Sequence, residues 1–468
     1  MLSSQKLYVP LGVKFNLNAK HPAVRNNLLQ PYIIRYPFVA VEIEFYQAGN
    51  AAKISTRKNV MKNQNSSGPL KGVTVVELGT YVAIPVAARI LADFGATVVK
   101  VEDIKGEDWR KMGKAHFNMP VTADENVLFT AINTNKKLVA LDLKNSDAMC
   151  VMHNLLKNAD IFMTSVRMKS LEKMGLDYET LKKEYPELVY VHLTGYGYEG
   201  PDAKRPGFDM AAFSARSGAL LDWVAEDSLP CKPITAFGDM VTSNVLLAGL
   251  LSALYAKAQT GKGTLVATSL YGAGIWNNSC GILASQDCFD NTFPKSRYAP
   301  MNPFSHFYQC KDRKWLNITI LAYEPAREKL LTALGMEAYL NDPRFDTIAS
   351  VKANVVDVVS LLDEHFMQKT SEEWSGILHD NDLVFEKLVH FKDVAEDPQA
   401  IANSYLQETT YATGTTVKMP RYPVFFSEYE TKNVVPSGGI GQDTDEVLTG
   451  LHYSPDEIGR MKNSNAVR

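Results

Sequence analysis

The sequence predicts an α/β protein with a large domain built on a parallel sheet and a smaller α+β domain. Between residues 72 and 270, short β-branched runs alternate with helices whose apolar residues recur at helical spacing. This alternation is typical of crossover units in a parallel sheet. From about residue 295 the pattern changes to a hairpin followed by several helices. The 468 residues, 46% hydrophobic and 22% charged, suffice for more than one globular core.

The first strand–helix–strand unit has clear boundaries. The run 73–78 is β-branched and predicts a strand, and 97–101 predicts the next one. Between them, Pro85 near the start of an apolar helix and Gly95 at its end follow the usual distribution of proline and glycine at helix termini. The sequence thus predicts one complete strand–helix–strand crossover unit at the start of the large domain.

The remaining elements follow the same logic. Ser146 is expected to cap the helix after the third strand. Further strands of the sheet are predicted at 138–143, 161–166, 188–193 and 264–270, with a helix at about 178–185. The second domain is predicted to hold hairpin strands at 304–310 and 315–320 and helices at about 324–334, 351–367 and 371–379, before a final helix near 445–451.

Charge separates the N-terminal segment from the rest. Residues 1–60 hold eight Lys/Arg and two Asp/Glu, a net charge of +6, whereas the following 408 residues carry −9. We expect residues 1–68 to form a basic leader outside the folded body, and Met61 is a candidate for the native start. No apolar segment of a secretory signal follows the basic start. The predicted domains are 69–294 with 406–468, and 295–405.

Composition also excludes several function classes. A net charge of −3 gives no electrostatic case for nucleic-acid binding. The five cysteines form no CxxC pair and the nine histidines no HxxxH pair, so no metal site is predicted, and sparse cysteines favour the reducing cytoplasm. The apolar stretch 240–258 contains Thr242, Ser243 and Ser252, which favours a buried core helix over a membrane span.

Glycine-bearing turns and one aspartate are the candidate site features. The turn 79–85 lacks the GxGxxG pattern of dinucleotide sites, yet a helix N-terminus there can hold another phosphorylated ligand. The segment 194–209 follows a strand, at the edge where open α/β sheets bind ligands. Asp239 opens the long apolar helix, either as its N-cap or as a nucleophile whose pKa the helix N-terminus lowers.

A series of short segments in fixed order resembles the class III CoA-transferases, also called the CaiB/BaiF type. The matching segments are 69–78, 93–102, 133–137, 141–144, 171–177, 194–201, 238–239, 260–263 and 397–398. The run from Gly200 to Arg216 resembles the branch that acts on phenyllactate, cinnamoyl-CoA and 2-hydroxyisocaproate. The resemblance covers about 400 residues and omits the leader.

This resemblance implies a fold, a reaction and a nucleophile. The family fold implies an interlocked, ring-like homodimer. The implied reaction moves CoA from an acyl-CoA, such as an enoyl-CoA, to a carboxylic acid, for which the branch suggests a 2-hydroxy acid from amino-acid fermentation. Asp239 is then the catalytic residue, passing through an aspartyl anhydride and an aspartyl-CoA thioester, with CoA thioester as substrate and no permanently bound cofactor or metal. A pathway link to a 2-hydroxyacyl-CoA dehydratase is also implied.

The resemblance further implies the CoA contacts. Tyr81, Val82 and Ala83 match the segment that lines the CoA site, Leu141 a position near the adenine, and Lys173 with Met174 a basic–Met pair. Charge and location add Arg167 as a phosphate contact. A known family member has Arg where Asp103 stands and a tetraglycine lid, for which Gly272–Gly274 and 438–441 are poor substitutes. Phe208, Phe213, Trp223 and Trp276 are candidates to line an apolar acyl pocket, although large apolar residues more often belong to the core.

Two other functions stay open at this stage. Racemases that act on 2-methylacyl-CoA share the fold and pair the aspartate with a histidine, but the matching segment here is Gly207-Phe208-Asp209. A hydrocarbon ring cannot move a proton, so Phe208 argues against racemisation and Asp209 is expected to have a hydrogen-bonding role. A non-catalytic partner subunit that only binds acyl-CoA is the other alternative, against which the retained Asp239 counts.

Overall fold

The computed structural model describes residues 68–468, together with the backbone of short strands in the N-terminal segment. Those strands are Leu7–Tyr8 paired with Lys14–Phe15, and an antiparallel set of Tyr32–Tyr36, Val39–Glu44 and Ser55–Thr56. The prediction that residues 1–68 are a leader lies almost wholly outside the described residues. That segment and the body form separate compact units.

A six-stranded, wholly parallel sheet forms the centre of the body, as the sequence predicts. Its strands are β1 (Thr74–Leu78), β2 (Thr97–Glu102), β3 (Lys137–Ala140), β4 (Ile161–Thr164), β5 (Val189–Thr194) and β6 (Leu265–Ser269). Their spatial order is β6-β5-β4-β1-β2-β3. Because the order reverses between β1 and β4, a crevice opens there beyond the carboxyl ends of the strands.

Helices cover the sheet. They are α1 (Ala83–Asp93), α2 (Trp109–Phe117), α3 (Val127–Asn133), α4 (Ser146–Lys157), α5 (Met168–Met174), α6 (Tyr178–Glu184), α7 (Ala219–Asp222), α8 (Phe237–Thr260), α9 (Leu270–Asn277) and α10 (Ser279–Ala284). A π-helix, Asp209–Ala215, precedes α7, and a 3-10 turn, Asp287–Phe289, follows α10. Every residue of α1 is buried, which fixes the first crossover unit inside the core.

A second hydrophobic core lies in the following segment. The antiparallel strands β7 (Ser305–Gln309), β8 (Trp315–Thr319) and β9 (Phe385–Lys387) confirm the predicted hairpin and add a third strand. The helices around this core are α11 (Tyr323–Ala333), α12 (Ile348–Ala353), α13 (Val355–Phe366) and α14 (Ser371–Asp380), with 3-10 turns at Glu337–Asn341 and Pro343–Phe345. Stacked ring pairs, Phe304 with Tyr323 and Tyr308 with Phe366, fill it. The domain bounds 295–405 stay a prediction.

The chain ends against the central sheet. After α15 (Phe391–Val394) and α16 (Pro398–Ala402), strands β10 (Leu406–Thr410) and β11 (Thr416–Pro420) pair as a hairpin, and α17 (Thr444–Gly450) and α18 (Pro455–Asn463) close the fold. Val467 bridges Leu141 beyond the end of β3. The final segment thus extends the sheet on the β3 side.

Local differences from the predictions have physical causes. The helix after β3 is capped by Asn145, whose side chain accepts the Asp147 N–H, so the prediction of Ser146 as cap is wrong by one residue. The predicted helix 351–367 divides at Asn354, which ends α12 and begins α13. The predicted strand 138–143 ends at Ala140, where the chain turns toward the cavity described below.

Helix α8, predicted as a buried core helix, is buried along one face only. Leu246, Leu250 and Ala253 are buried against the body, whereas Met240 and Tyr255 are exposed. Over the part of the chain that the structure describes, α8 is the one helix long and apolar enough to cross a membrane by length and composition, a test that core helices also pass. An apolar face of α8 therefore remains uncovered in the single chain.

Candidate active site

A cavity of about 890 Å³ opens at the carboxyl edge of the central sheet, beside the point where the strand order reverses. Segments that follow β1, β2, β3 and β4 all contribute to its wall. Its volume lies in the range of cofactor and substrate pockets. The wall includes Leu78, Gly79, Thr80, Glu102, Asp103, Glu107, Asp108, Leu141, Lys144, Met149, Val166, Ser170, Lys173 and Met174.

The turn between β1 and α1 forms one side of this cavity. Gly79 and Thr80 line it, and Tyr81 follows in the left-handed backbone region with a φ of 62°. The Tyr81 N–H donates a hydrogen bond of 2.9 Å to Glu107 Oε2. Val82 and Ala83, by contrast, are buried at the start of α1. Of the three residues predicted from this segment, only Tyr81 is partly exposed, so Val82 and Ala83 offer a ligand their backbone rather than their side chains.

Buried charged side chains hold this turn in place. Lys100 Nζ lies 2.9 Å from Glu77 Oε1 and 2.7 Å from Glu107 Oε1, and it donates to the Gly79 carbonyl at 3.0 Å. Burial alone would lower the pKa of Lys100, but the carboxylates of Glu107 and Glu77 outweigh it and raise the pKa above its usual range. Together Lys100 and Glu107 bind both the Gly79 carbonyl and the Tyr81 N–H; we call this pair the turn clamp.

A second buried lysine completes the charge balance. Lys136 Nζ lies 2.7 Å from Glu77 Oε2 and donates to the Asn133 side chain and to the Pro85 carbonyl. Burial lowers the pKa of Lys136 to about 8, although the Glu77 carboxylate opposes this shift. Glu77 therefore has a lysine at each carboxylate oxygen.

Charges of both signs line the cavity. Lys144 and Lys173 supply positive charge, Asp142 supplies one carboxylate after β3, and the end of β2 with the segment after it supplies four more. Two of those are neutralised by buried partners, Glu102 by Arg110 at 2.7 Å and Glu107 by Lys100. The other two, Asp103 and Asp108, are exposed. A phosphorylated ligand would therefore meet its favourable charge on the β3 and β4 side of the cavity.

The structure places three of the seven predicted CoA contacts in the wall of this cavity. Leu141, Lys173 and Met174 lie in the cavity wall, as the resemblance implied for a shared binding site. Arg167 is exposed at the start of α5, between the wall residues Val166 and Ser170, but it is not itself part of the wall. Whether these residues contact CoA stays a prediction.

Asp239 lies in the first turn of α8, two residues inside the helix. The N-cap, the residue before the helix, is Ala236, which has a left-handed φ of 70° and makes no side-chain cap hydrogen bond. Asp239 lies inside the helix and is therefore not its N-cap. Burial, together with the nearby charge of Asp209, raises the pKa of Asp239 to about 7. This direction is opposite to the expectation that the helix N-terminus lowers the pKa, because burial and a second carboxylate both act to raise it.

Asp209 is the residue that the sequence placed in a hydrogen-bonding role, and the structure shows its partners. It begins the π-helix, is 7% exposed, and its Oδ1 accepts the Gly238 N–H at 3.1 Å and the Ser214 hydroxyl at 3.3 Å. Burial raises the pKa of Asp209 as well. The hydrogen-bond acceptor for the Gly238 N–H in the first turn of α8 thus comes from the π-helix, which is remote in sequence.

The aromatic residues expected in an acyl pocket lie in different environments. Phe213 is fully buried and packs against Gly238, so it belongs to the core. Phe208 is exposed and meets the Tyr81 ring edge-on at 5.2 Å, which joins the cavity turn to the Asp209 segment. Trp223 meets the Phe237 ring at 5.8 Å, two residues before Asp239. Trp276 is largely exposed on α9.

A glycine-rich loop between β5 and the π-helix is tied to the sheet by a histidine. His192 is buried, and its Nε2–H donates to the Val166 carbonyl at 2.9 Å, which leaves Nδ1 to accept the Tyr198 hydroxyl. Burial lowers the pKa of His192, so the ring is neutral near pH 7. Gly272 and Gly274 lie inside α9, so they form no lid loop.

Comparison with known proteins identifies the family of this chain. Residues 70–444 match CoA-transferase family III. The chain belongs to CoA-transferase family III. Among curated members, it is 38% identical to the (R)-2-hydroxy-4-methylpentanoate CoA-transferase of Clostridioides difficile, over 85% of this chain and 99% of that protein. It is 34% identical to the cinnamoyl-CoA:phenyllactate CoA-transferase of Clostridium sporogenes, over 86% and 98%.

Solved structures of the family show the same fold. A CaiB/BaiF family protein from Brucella suis superposes with a TM-score of 0.71 at 27% identity, covering 83% of this chain and all of that one. The family III match begins at residue 70, directly before β1, and spans the cavity, the turn clamp and Asp239. Residues 1–69 lie outside it.

Proposed function

We propose that this family III enzyme transfers CoA from an acyl-CoA, such as an enoyl-CoA, to a 2-hydroxy acid derived from amino-acid fermentation. The observation that carries the proposal is the similarity, over nearly the full length of both relatives, to two transferases named for 2-hydroxy acids. The cavity at the switch point and the partly buried Asp239 agree with it. A pathway link to a 2-hydroxyacyl-CoA dehydratase follows from the product, a 2-hydroxyacyl-CoA.

Asp239 is the nucleophile in this proposal. Its carboxylate attacks the carbonyl carbon of the donor thioester, the C–S bond breaks, and CoA leaves as a thiolate with a mixed anhydride left on the enzyme. The thiolate then attacks Cγ of Asp239, the anhydride C–O bond breaks, and the donor acid leaves as its carboxylate. The acceptor carboxylate reverses these steps. The thioester bond energy is retained, so CoA thioester serves as a substrate and no further cofactor enters the scheme.

The cavity supplies the proposed CoA site. Lys173 and Arg167 would meet phosphate charge, and Leu141 and Met174 would meet the adenine, while Tyr81, Val82 and Ala83 present the turn and the first N–H groups of α1. The Phe208 ring, in contact with Tyr81, would separate this site from the acyl end near Asp239. Apolar side chains there suit acids with branched or aromatic side chains.

Loss of the Asp239 carboxylate tests the mechanism. Asp239→Ala should reduce acyl transfer on the order of a thousandfold or more, because a nucleophile cannot be replaced by binding alone. Asp456→Ala, an exposed surface change in α18, is the matched control and should transfer at the normal rate. Incubation with acyl-CoA and hydroxylamine should trap Asp239 as its hydroxamate, detected by mass spectrometry. Unchanged transfer by Asp239→Ala would refute the mechanism.

A panel of acceptor acids with one acyl-CoA donor tests the substrate class. Branched and aromatic 2-hydroxy acids should give the highest kcat/KM. A preference for oxalate or carnitine would contradict the 2-hydroxy-acid assignment. Exchange of the hydrogen at C2 of a 2-methylacyl-CoA would instead indicate the racemase, against which Phe208 argues, and acyl-CoA binding without turnover would indicate a non-catalytic subunit.

We also propose that the active form is a cytoplasmic homodimer. Large apolar side chains remain exposed on and around the α8–α10 segment of the single chain, among them Tyr255, Trp276, Leu283 and Phe289. Exposed large apolar side chains concentrated in one stretch of a chain are the kind of surface that a protein partner covers. Light scattering coupled to size-exclusion chromatography should give twice the 51.9 kDa chain mass, and a mass of one chain would contradict the dimer.

A further inference from the structure

The site contains a second buried carboxylate for which the proposed reaction has no step. Asp209 and Asp239 both lie where the π-helix meets the first turn of α8. Asp209 is buried and Asp239 partly buried, and the Asp209 charge raises the pKa of Asp239. Like charges placed together in a poorly hydrated site are costly. Capping α8 does not by itself require a charge, because a neutral asparagine oxygen accepts an N–H equally well.

The packing around Gly238 fixes where Asp209 lies. A Cβ at position 238 would come within 2.4 Å of Asp209 Oδ1 and 2.3 Å of the Phe213 ring, so backbone, carboxylate and ring are in direct contact. Ser214, on the same π-helix, orients the carboxylate through its hydroxyl. The residue that follows Gly238 is Asp239. The position of Asp209 relative to the nucleophile is therefore determined by the main chain of α8 itself.

We propose that Asp209 is a positioning residue for the nucleophile, which fixes the first turn of α8 through Gly238 and holds a negative charge beside Asp239. This inference rests on the proposed function, because it assigns Asp209 an effect on the Asp239 carboxylate. Asp209 makes no bond to the substrate in this scheme.

The charge has a chemical consequence at two steps. A more basic carboxylate is the stronger nucleophile toward the donor thioester. In the mixed anhydride, CoA thiolate can attack either carbonyl carbon, and the weaker base departs more readily. Attack at Cγ of Asp239 breaks its bond to the bridging oxygen and releases the donor carboxylate, whereas attack at the donor carbonyl releases Asp239 and restores the starting thioester. Keeping Asp239 more basic than the donor acid favours the productive direction.

Other titratable groups on the elements around the start of α8 have their own partners. Arg89 and Asp93 of α1 pair with each other at 3.2 Å. From β5, the Tyr190 hydroxyl donates to the Leu176 carbonyl and His192 bonds Tyr198 and the Val166 carbonyl. Tyr271 is the titratable residue of α9 and lies against the Arg216 guanidinium. Among the described residues, Asp209 is the one charged side chain whose charge shifts the pKa of Asp239.

The test compares Asp209→Asn with Ser214→Ala across pH. Asn keeps an oxygen for the Gly238 N–H but removes the charge, so the acid limb of kcat/KM should move about one unit toward lower pH. At neutral pH kcat should fall roughly tenfold with KM for acyl-CoA nearly unchanged, since the lost basicity affects reaction steps rather than binding. Ser214→Ala keeps the charge, so its acid limb should remain at the wild-type pH.

A direct titration keeps the proposal testable even if Asp209→Asn is inactive. Aspartate-labelled enzyme gives carboxyl ¹³C signals, and Asp239→Asn identifies the one from Asp239. That signal should titrate at lower pH in Asp209→Asn than in the wild type. An unchanged titration, or an unmoved acid limb, would show that Asp209 only caps the helix. Failure of the transferase mechanism is a separate outcome, since it appears as retained transfer in Asp239→Ala.

Discussion

At the scale of single residues, the absence of a side chain at Gly238 determines the geometry of the site. The space that a Cβ would need is filled by the Asp209 carboxylate and the Phe213 ring. Because Phe213 is fully buried, it has little freedom to move away. A substitution here therefore forces a shift of the π-helix, of α8, or of both, and each carries one of the two aspartates.

We expect Gly238→Ala to destabilise the protein by about 1–3 kcal/mol through overpacking. Its effect on the rate of acyl transfer, expressed as a free energy, should be much larger than this loss of stability. Gly376→Ala is the matched control: position 376 is exposed within α14 and open to a side chain, so alanine there should stabilise by roughly 0.5–1 kcal/mol. Chemical unfolding gives the first quantity and an acyl-transfer assay the second. Normal transfer by Gly238→Ala would mean that the two helices tolerate displacement.

Sequence reasoning could identify Asp239 but not its protonation behaviour. The position of an aspartate at the start of an apolar helix is local information, and it correctly placed the residue in the first turn of α8. The raised pKa arises from burial and from Asp209, and Asp209 contacts α8 only through tertiary folding. A carboxylate 29 residues before Gly238 gives no local signal that it lies beside the start of α8.

At the scale of elements, the turn between β1 and α1 is held by charge rather than by glycine. Tyr81 adopts a left-handed conformation that costs a non-glycine residue roughly 1 kcal/mol or more. The turn clamp compensates by binding the Gly79 carbonyl and the Tyr81 N–H. The cavity wall formed by this turn is therefore shaped before any ligand binds.

We expect Lys100→Met to destabilise the protein by about 3–5 kcal/mol, because it leaves buried carboxylates without their shared partner. The surface pair of Lys462 with Asp445 provides the control, since exposed ion pairs contribute about 0–1 kcal/mol and Lys462→Met should have little effect. Unfolding in guanidinium chloride measures both. Equal losses for the two variants would show that Lys100 is not essential to the clamp.

Most strands of the sheet could be predicted because they are short, largely apolar runs that contain β-branched residues. Helices α2 and α3 were missed, since α2 is mostly polar and α3 spans only seven residues. The turn clamp was missed for a different reason. Lys100 lies between valines within β2, and its partners Glu77 and Glu107 come from two other segments that only the fold brings together.

At the scale of the whole molecule, the family III match and the described body nearly coincide. The match starts at residue 70 and the first strand of the sheet at Thr74. The relatives from the two Clostridial species are covered almost completely by 85–86% of this chain. The unmatched remainder corresponds in extent to the basic leader, whose net charge has the opposite sign to that of the body.

We expect a chain that begins at Met61 to have the same kcat/KM and melting temperature as the full chain, because the sheet, both cores and the cavity wall lie after residue 68. Mass spectrometry of protein from its natural source would show which residue is the first. A loss of transfer or of solubility on removing residues 1–60 would show that the leader takes part in folding or assembly.

The contact between Trp223 and Phe237 gives the molecule an optical signal at the proposed acyl end of its site. The indole is 44% exposed, its N–H is fixed by Asn278 at 2.9 Å, and the phenyl ring beneath it lies two residues before Asp239. Indole emission depends on the polarity of its surroundings. An acyl group that binds over Phe237 would replace water around Trp223 and change the emission wavelength and intensity of its fluorescence. Each turnover would therefore be accompanied by a change in the fluorescence of Trp223.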